Sequence, residues 1–506
     1  MSLENPTSPA EGTPAAPPTI PSLDMRPEEF TAAAEAIAYA LARYLASIGT
    51  RPVSSAPDPA TLKASFDEPI PHAGRGFPAL LEALATRVLP HTMTIGSPRY
   101  FGLFNPSVIP VAALCDLVVS TINQNTGSFQ QSPVITAIED RVIRWLVALT
   151  GFPADTATGH FTSGGTAANL TALKLARDRA AAGVRDQGAA VFAGRGRVYA
   201  SDQSHFSLER AVDVLGLGRS ALVRIPSDER MRLPAAALAA HIRADRESGL
   251  LPVAIVATAG TTPSASIDPL AAIADVAAAE GVFLHVDAAY GGAAILSPRL
   301  RPRLAGIERA DAVTIDPHKW MFLPSELGCM LVRDRSWLRA SFGEQPTYLK
   351  DSADRADILP DYYREGLQGS RRGKAFTVWG TLLVHGVDAL ARANERTVEL
   401  AHHLAERVRR LPGFFICHEP ELGLVCFRYA PPGMSAEEQD LLNARIQRRV
   451  EAAGEAWFAT TVLNGRRVLR VNIGSFRTTE HDIERTLRAV VAAAGETAAE
   501  LRAEKA

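Results

Sequence analysis

The chain has 506 residues, 47% hydrophobic and 21% charged, with a formal net charge of −2 at pH 7. That is the make-up of a soluble globular enzyme with a large core and room for about two or three domains. Near-neutral charge excludes an electrostatic case for nucleic acid or an anionic membrane as partner, and the longest apolar runs are broken well short of a membrane span.

Residues 1–24, rich in Pro, Ala, Ser and Thr, read as a disordered tail with no signal peptide. From Arg26 to Ile48 apolar residues recur at helical spacing (Phe30, Ala34, Ile37, Leu41, Tyr44, Leu45), which predicts an amphipathic helix whose apolar face needs a partner. A second helix is expected near Ala79 to Leu89. Helices this far ahead of the first strand suit packing on another subunit, so residues 25–100 are assigned to a helical dimerisation segment of a homodimer.

Ser97 to Pro110 reads as a loop, Val111 to Ile122 as a helix, Asn123 to Ser132 as a polar segment and Pro133 to Thr150 as a strong helix. Strand and helix signals then alternate. Strands are predicted at Arg197 to Ala200, Val253 to Thr258, Val282 to Val286, Ala312 to Ile315 and Gly328 to Val332. The helices among them span Thr166 to Ala181, Ser207 to Leu215 and Leu270 to Glu280. This alternation predicts an α/β domain over 101–375, with a mostly parallel sheet covered on both faces. A long helix from Phe376 to the Pro412-Gly413 stop leads into a small α+β domain, 376–506. Cys115, Cys329, Cys417 and Cys426 form no C-x-x-C pair, as in a reduced, cytoplasmic protein.

The apolar run Ala312 to Ile315 stops at Asp316-Pro317, so His318 and Lys319 fall just past a strand end, where open α/β sheets bind ligands. Lysine is scarce in this arginine-rich chain: only Lys63, Lys174, Lys319, Lys350, Lys374 and Lys505 occur. A desolvated lysine amine loses its proton readily and can form a Schiff base; the alternative is a surface lysine after a strand. Thr162-Ser-Gly-Gly-Thr166 is a glycine turn opening a helix, whose bare N–H groups and dipole suit a phosphate. It lacks the Gly-Lys-Ser/Thr of a P-loop and could be purely structural. Asp287 ends an apolar strand before small residues, as a helix N-cap or as an anion for a cationic ring nitrogen, with Ala289 leaving room for a flat ring. His205 follows another strand end, as a core histidine or as a ring that stacks on a ligand. One ligand uses all four groups at one sheet edge: pyridoxal 5′-phosphate, which takes a lysine Schiff base and an aspartate at its pyridinium nitrogen. No metal site is assigned.

The motifs Thr-Ser-Gly-Gly-Thr, Ser-Asp-Gln-Ser-His-Phe-Ser, Ala-Thr-Ala-Gly-Thr-Thr, His-Val-Asp-Ala-Ala-Tyr and Pro-His-Lys-Trp occur in this order. In these the chain, from about Arg26 to Val490, resembles the group II pyridoxal-phosphate-dependent amino acid decarboxylases, which include aromatic-L-amino-acid, glutamate and 2,4-diaminobutyrate decarboxylases. The resemblance implies the fold type I architecture of aspartate aminotransferase and decarboxylation of an L-amino acid to a primary amine and CO₂. It implies that Lys319 carries the cofactor, Asp287 pairs with the ring nitrogen and His205 stacks on the ring. Gly164, Gly165 and Thr166 would hold the phosphate, with Thr262 and Ala289 beside the cofactor and His318 facing the substrate. Asp316 stands where aromatic decarboxylases often have Asn. Its backbone N–H is expected at the phosphate, with the carboxylate turned away or protonated.

Tyr348, on the polar segment after the lysine, matches a mobile-loop tyrosine of aromatic decarboxylases and is the candidate proton donor; it could instead anchor a loop. Arg470 matches an arginine that binds a substrate carboxylate in glutamate-type relatives, or serves as an ion pair at the domain interface. Phe104, Ser107 and Phe129 are candidates for the substrate pocket. An aldehyde synthase, another pyridoxal-phosphate reaction such as transamination or side-chain lysis, and a non-enzymatic binder remain as alternatives.

Overall fold

The computed structural model describes residues 23–54, 58–344 and 360–504. They fall into two compact units, residues 23–47 with 58–91, and residues 48–54 with 92–344 and 360–504. The first unit is helical, with helices Pro27–Ser47, Pro59–Ala64 and Gly76–Ala83, the last continuing as a π turn over Leu84–Val88. None of these helices buries a residue within the chain, and Phe30, Tyr39, Leu41, Leu45 and Leu80 are exposed.

The strands of the second unit are, in chain order, β1 (Tyr100–Phe101), β2 (Thr158–Thr162), β3 (Gly196–Ser201), β4 (Leu222–Ile225), β5 (Leu251–Thr258), β6 (Phe283–Asp287), β7 (Ala312–Ile315), β8 (Gly328–Val332), β9 (Phe414–His418), β10 (Leu424–Tyr429), β11 (Trp457–Leu463) and β12 (Arg466–Asn472). A seven-stranded sheet has the order β2-β8-β7-β6-β5-β3-β4. From β7 through to β4 the pairings are parallel, whereas β8 is antiparallel to both β7 and β2. Two reversals restore direction, so β2 ends at the same edge as the parallel strands. Burial follows the two-residue strand period. Ala254, Val256, Met330 and Val332 face one apolar cluster, beneath the Gly165–Ala180 and Ser207–Val214 helices, while Ile255, Ala257, Cys329 and Leu331 face the other. Each fully buried Val, Leu or Ile contributes about 1.5–3 kcal/mol of transfer free energy.

The five-stranded sheet, β1-β11-β12-β10-β9, packs on the Ala436–Ala452 and Glu480–Ala503 helices around a separate core that includes Phe427, Ile446, Leu469 and Val490. The long helix Ala375–Arg409 is interrupted at Gly386, whose φ of 73° lies in the left-handed region that glycine tolerates. Strands β1, β2, β4, β9 and β11 and the helices Ala235–Glu247 and Arg335–Phe342 are additions to the sequence reading, β1 inside the segment read as a loop. Thr-Gly-His-Phe-Thr in β2 lacks an apolar alternation, which is why periodicity misses it.

One buried ion pair ties three elements together. Glu139, on the Pro133–Thr150 helix, accepts from the Phe161 N–H of β2 and from Arg371 Nη2. Arg371 also donates to the Phe161 and Thr126 carbonyls, and its guanidinium lies 4.5 Å from the Tyr362 ring centroid. Both side chains are almost wholly buried. Glu139→Ala therefore strands a guanidinium and is expected to cost about 3–5 kcal/mol in urea unfolding, with Glu139→Met/Arg371→Leu recovering most of the loss; a single-variant cost below ~1 kcal/mol contradicts this role.

Burial holds three histidines neutral, pushing His160 down to about 3 and His285 and His418 down to about 4. The unfolded chain takes up these protons below ~6.5, so it binds more protons than the fold does as pH drops. Stability is thus expected to fall between roughly pH 6.5 and 4, by about 1.4 kcal/mol per pH unit for each ring. Melting curves across that range test this, and His160→Gln is expected to flatten the dependence.

Candidate active site

The ends of β2, β3, β5, β6 and β7 converge on a cavity of about 330 Å³. Its walls include Phe104, Gly164, Gly165, Thr166, His205, Thr262, Asp287, Ala289, Asp316, His318 and Lys319. These eleven sequence candidates come from six separate stretches of chain. The structure adds Ser163, Asn169, Thr258, Gly260, Tyr290 and Glu326 to the walls.

The glycine turn follows β2. Gly164 has φ 155° and lies against Gly328, where an added Cβ would stand 2.6 Å from Gly164 backbone atoms. A Cβ on Gly165 would stand 2.7 Å from Asp316 Oδ2 and 3.3 Å from Ala289 Cβ, so glycine keeps this cradle open. Asp316 behaves differently from the sequence expectation. Its N–H donates to the Ala289 carbonyl at 3.1 Å and is thereby committed to the backbone rather than to a phosphate. Its carboxylate is not turned away: Oδ2 accepts from the Gly165 N–H at 3.0 Å and lies 3.1 Å from Lys319 Nζ. An anion at the positive end of the Gly165–Ala180 helix, beside an ammonium, explains that placement. Asp316 Oδ1 is buried without a partner among the described residues.

Asp287 is 5% exposed. Its Oδ1 accepts from the Ala289 N–H at 3.2 Å and its Oδ2 from Asn169 Nδ2 at 2.8 Å. His205 Nδ1 accepts from the Ser207 N–H at 3.2 Å, which leaves the proton of a neutral ring on Nε2. Burial lowers the His205 pKa and Lys319 lowers it further, against the opposing pull of Asp287 and Asp316. His318 Nδ1 lies 2.7 Å from the Leu327 carbonyl, which orients the ring.

Phe104 stacks on Tyr290 at 3.9 Å between centroids, and Tyr290 stacks in turn on Trp320. Arg470 is 2% exposed and lies outside the cavity walls, its guanidinium 4.8 Å from the Phe104 ring centroid. It donates to the carbonyls of Thr262 and Leu103, forms no ion pair among the described residues and leaves Nη2 without a partner. Ser107 and Phe129 also stand outside these walls: Ser107 Oγ is buried against Ser475 Oγ, and the Phe129 N–H is held by Asp361. Tyr348 lies outside the described residues.

An open glycine cradle, a buried carboxylate with both oxygens positioned, a neutral imidazole and a primary amine around one cavity fit pyridoxal phosphate. Asn169 was not legible as part of this site, since a polar residue one turn into an amphipathic helix reads as solvent-facing.

Comparison with known proteins agrees with this chemistry. The pyridoxal-dependent decarboxylase conserved domain matches residues 59–430. The chain is 34% identical to an aromatic-L-amino-acid decarboxylase of Bacillus atrophaeus, over 88% of this chain and 92% of that one. It is 36% identical to an L-2,4-diaminobutyrate decarboxylase of Rhizobium meliloti (strain 1021), over 86% and 84%. The crystal structure of Oryza sativa TDC with PLP and tryptamine superposes with a TM-score of 0.88 at 29% identity, covering 94% of this chain and 99% of that one. With a fold type I sheet and a cavity suited to the cofactor, the chain belongs to the pyridoxal-dependent decarboxylase family and is a pyridoxal-phosphate-dependent carboxy-lyase acting on an amino acid.

Proposed function

We propose that this enzyme converts an L-amino acid to the primary amine and CO₂, with Lys319 holding the cofactor through its aldehyde. The observation that carries the reading is the convergence of Lys319, Asp287, His205 and the Gly164–Gly165 turn at one sheet edge. The cofactor, when bound, supplies the sink for the electron pair left on Cα as CO₂ departs. Asp287 offers an anion to the ring nitrogen and favours its protonated form. His205, neutral, would lie against the ring face, and Gly164, Gly165 and Thr166 would hold the phosphate. The Gly165 N–H that would serve the phosphate donates to the Asp316 carboxylate in this structure. His318 faces the substrate, and Tyr348 returns a proton to Cα, completing the amine.

Phe104 lines the end of the pocket that would receive the substrate, and Arg470 lies behind it, against the Phe104 ring. Arg470 Nη2, without a partner among the described residues, is the group that a substrate carboxylate reaching past Phe104 would meet. The two curated relatives act on an aromatic and on a cationic side chain, as their names state, so the panel below spans aromatic, cationic and acidic amino acids.

We further infer a cytoplasmic homodimer, with residues 25–100 as a dimerisation segment, 101–375 binding the cofactor and 376–506 as the small domain. The exposed apolar residues of the Pro27–Ser47 helix support this, as do Leu114, Leu117 and Val118 on the Pro110–Ile122 helix and Leu383 and Val384 on the long helix. All four cysteines are free.

Borohydride reduction of the cofactor-loaded protein, followed by peptide mapping, is expected to find the adduct on Lys319. Recovery on another lysine ends this assignment. Incubation with the amino acid panel is expected to give amine and CO₂ in equal amounts without peroxide; aldehyde with ammonia and peroxide would identify an aldehyde synthase instead. Tyr348→Phe is expected to lower amine formation by roughly 10²–10⁴-fold while retaining cofactor and substrate binding, and an unchanged amine yield removes Tyr348 from the mechanism.

A further inference from the structure

Asp287 is the last member of a buried polar network that runs back into the sheet. Asn169, 1% exposed, is at its centre. A side-chain amide has two donor and two acceptor positions, and all four are engaged here. Nδ2 donates to Asp287 Oδ2 at 2.8 Å and to Ser207 Oγ at 3.1 Å. Oδ1 accepts from Thr314 Oγ1 at 2.8 Å and lies 2.9 Å from His285 Nε2. A half-turn of the amide would set its oxygen against the Asp287 carboxylate, so that anion fixes the orientation.

His285 lies two residues before Asp287 on β6 and therefore on the same face of the sheet. Its Nδ1 is 3.1 Å from the Ala312 carbonyl of β7, while Nε2 meets Asn169 Oδ1, with the Thr314 hydroxyl 3.4 Å away. With an oxygen acceptor at each nitrogen, a neutral ring serves one of them and a protonated ring serves both. Burial pushes His285 down to about 4, against the opposing pull of Asp287 and of the Ala312 carbonyl.

Asn169, His285, Thr314 and Ser207 lie beside the apolar cluster containing Ala168, Ala172 and Ala312, where a hydrocarbon side chain would pack without any need for partners. A buried polar network instead specifies one arrangement of its members. Of the five side chains, Asp287 and Asn169 reach the cavity wall, and Asp287 is the one carrying a carboxylate.

We propose that Asn169, braced by Thr314 and His285, is a positioning residue that fixes the Asp287 carboxylate in the orientation it presents to the ring nitrogen of the cofactor. This rests on the assignment of Asp287 made above and adds the group that aims it. The amide takes one oxygen and the Ala289 N–H the other, so the carboxylate cannot rotate without breaking a hydrogen bond.

The test is a cycle between Asn169 and the ring nitrogen itself. Apoenzyme is titrated with pyridoxal 5′-phosphate and with its 1-deaza analogue, in which C–H replaces that nitrogen, and the ratio of the two dissociation constants is compared across variants. Wild type is expected to prefer the natural cofactor. Asn169→Leu is expected to cut that preference by roughly 5- to 10-fold, a coupling in the range found for groups in one network, with little change for the analogue. Thr314→Val, which keeps the side chain's shape and removes one donor to Asn169, is expected to cut it by roughly 2- to 3-fold. If Asn169→Leu yields no folded protein, Thr314→Val decides the matter alone. Equal losses for both ligands, leaving the ratio unchanged, would reduce Asn169 to a structural residue and overturn the proposal. A wild-type enzyme without any preference overturns the Asp287 assignment, a result distinct from a preference that survives the substitutions.

Discussion

Gly328 lies so close to Gly164 that a single methyl group would not fit between them, and the active site depends on that approach. Strand β8 returns from the lysine turn and runs antiparallel between β7 and β2. A side chain on Gly328 would force the glycine turn away from this strand, and with it the N-terminus of the Gly165–Ala180 helix. The Gly165 N–H would then lose the Asp316 carboxylate, the group that also meets Lys319. Two stretches more than a hundred residues apart in sequence thus meet through backbone-level packing rather than through long side chains.

Asp316 makes the site electrostatically self-contained. One carboxylate neutralises an ammonium and caps a helix, and its second oxygen has no partner among the described residues. A dianionic phosphate brings its own claim on the same helix terminus. Asp316 thus links the lysine to the glycine turn, since one carboxylate oxygen touches both.

The chemistry was legible where a strand signal ends in an unusual residue. Ala312 to Ile315 and Phe283 to Val286 are apolar runs stopped by Asp316-Pro317 and by Asp287, and both strands form where periodicity puts them. Strand β2 was not legible, because Gly159 and His160 interrupt the strand preference of Thr158, Phe161 and Thr162 and the burial comes from tertiary packing. The backbone commitment of Asp316 was also hidden, since hydrogen bonds between distant loops leave no local pattern. The same limit applies to Asn169 and to Ser107: a polar residue near a motif can line a cavity, support another side chain or simply bond to a neighbouring loop, and only the fold separates these cases.

The scarcity of lysine takes on a chemical meaning beside the placement of Lys174 and Lys374. Lys174 is held by Asp178 and Ser341, and Lys374 donates to the Glu326 carbonyl. Arginine carries nearly all the positive charge elsewhere, and a guanidinium stays protonated at any physiological pH. A reactive carbonyl compound entering this protein thus meets few nucleophilic nitrogens other than the intended one. Positive charge carried as guanidinium leaves few amines on which an aldehyde cofactor could form stray adducts.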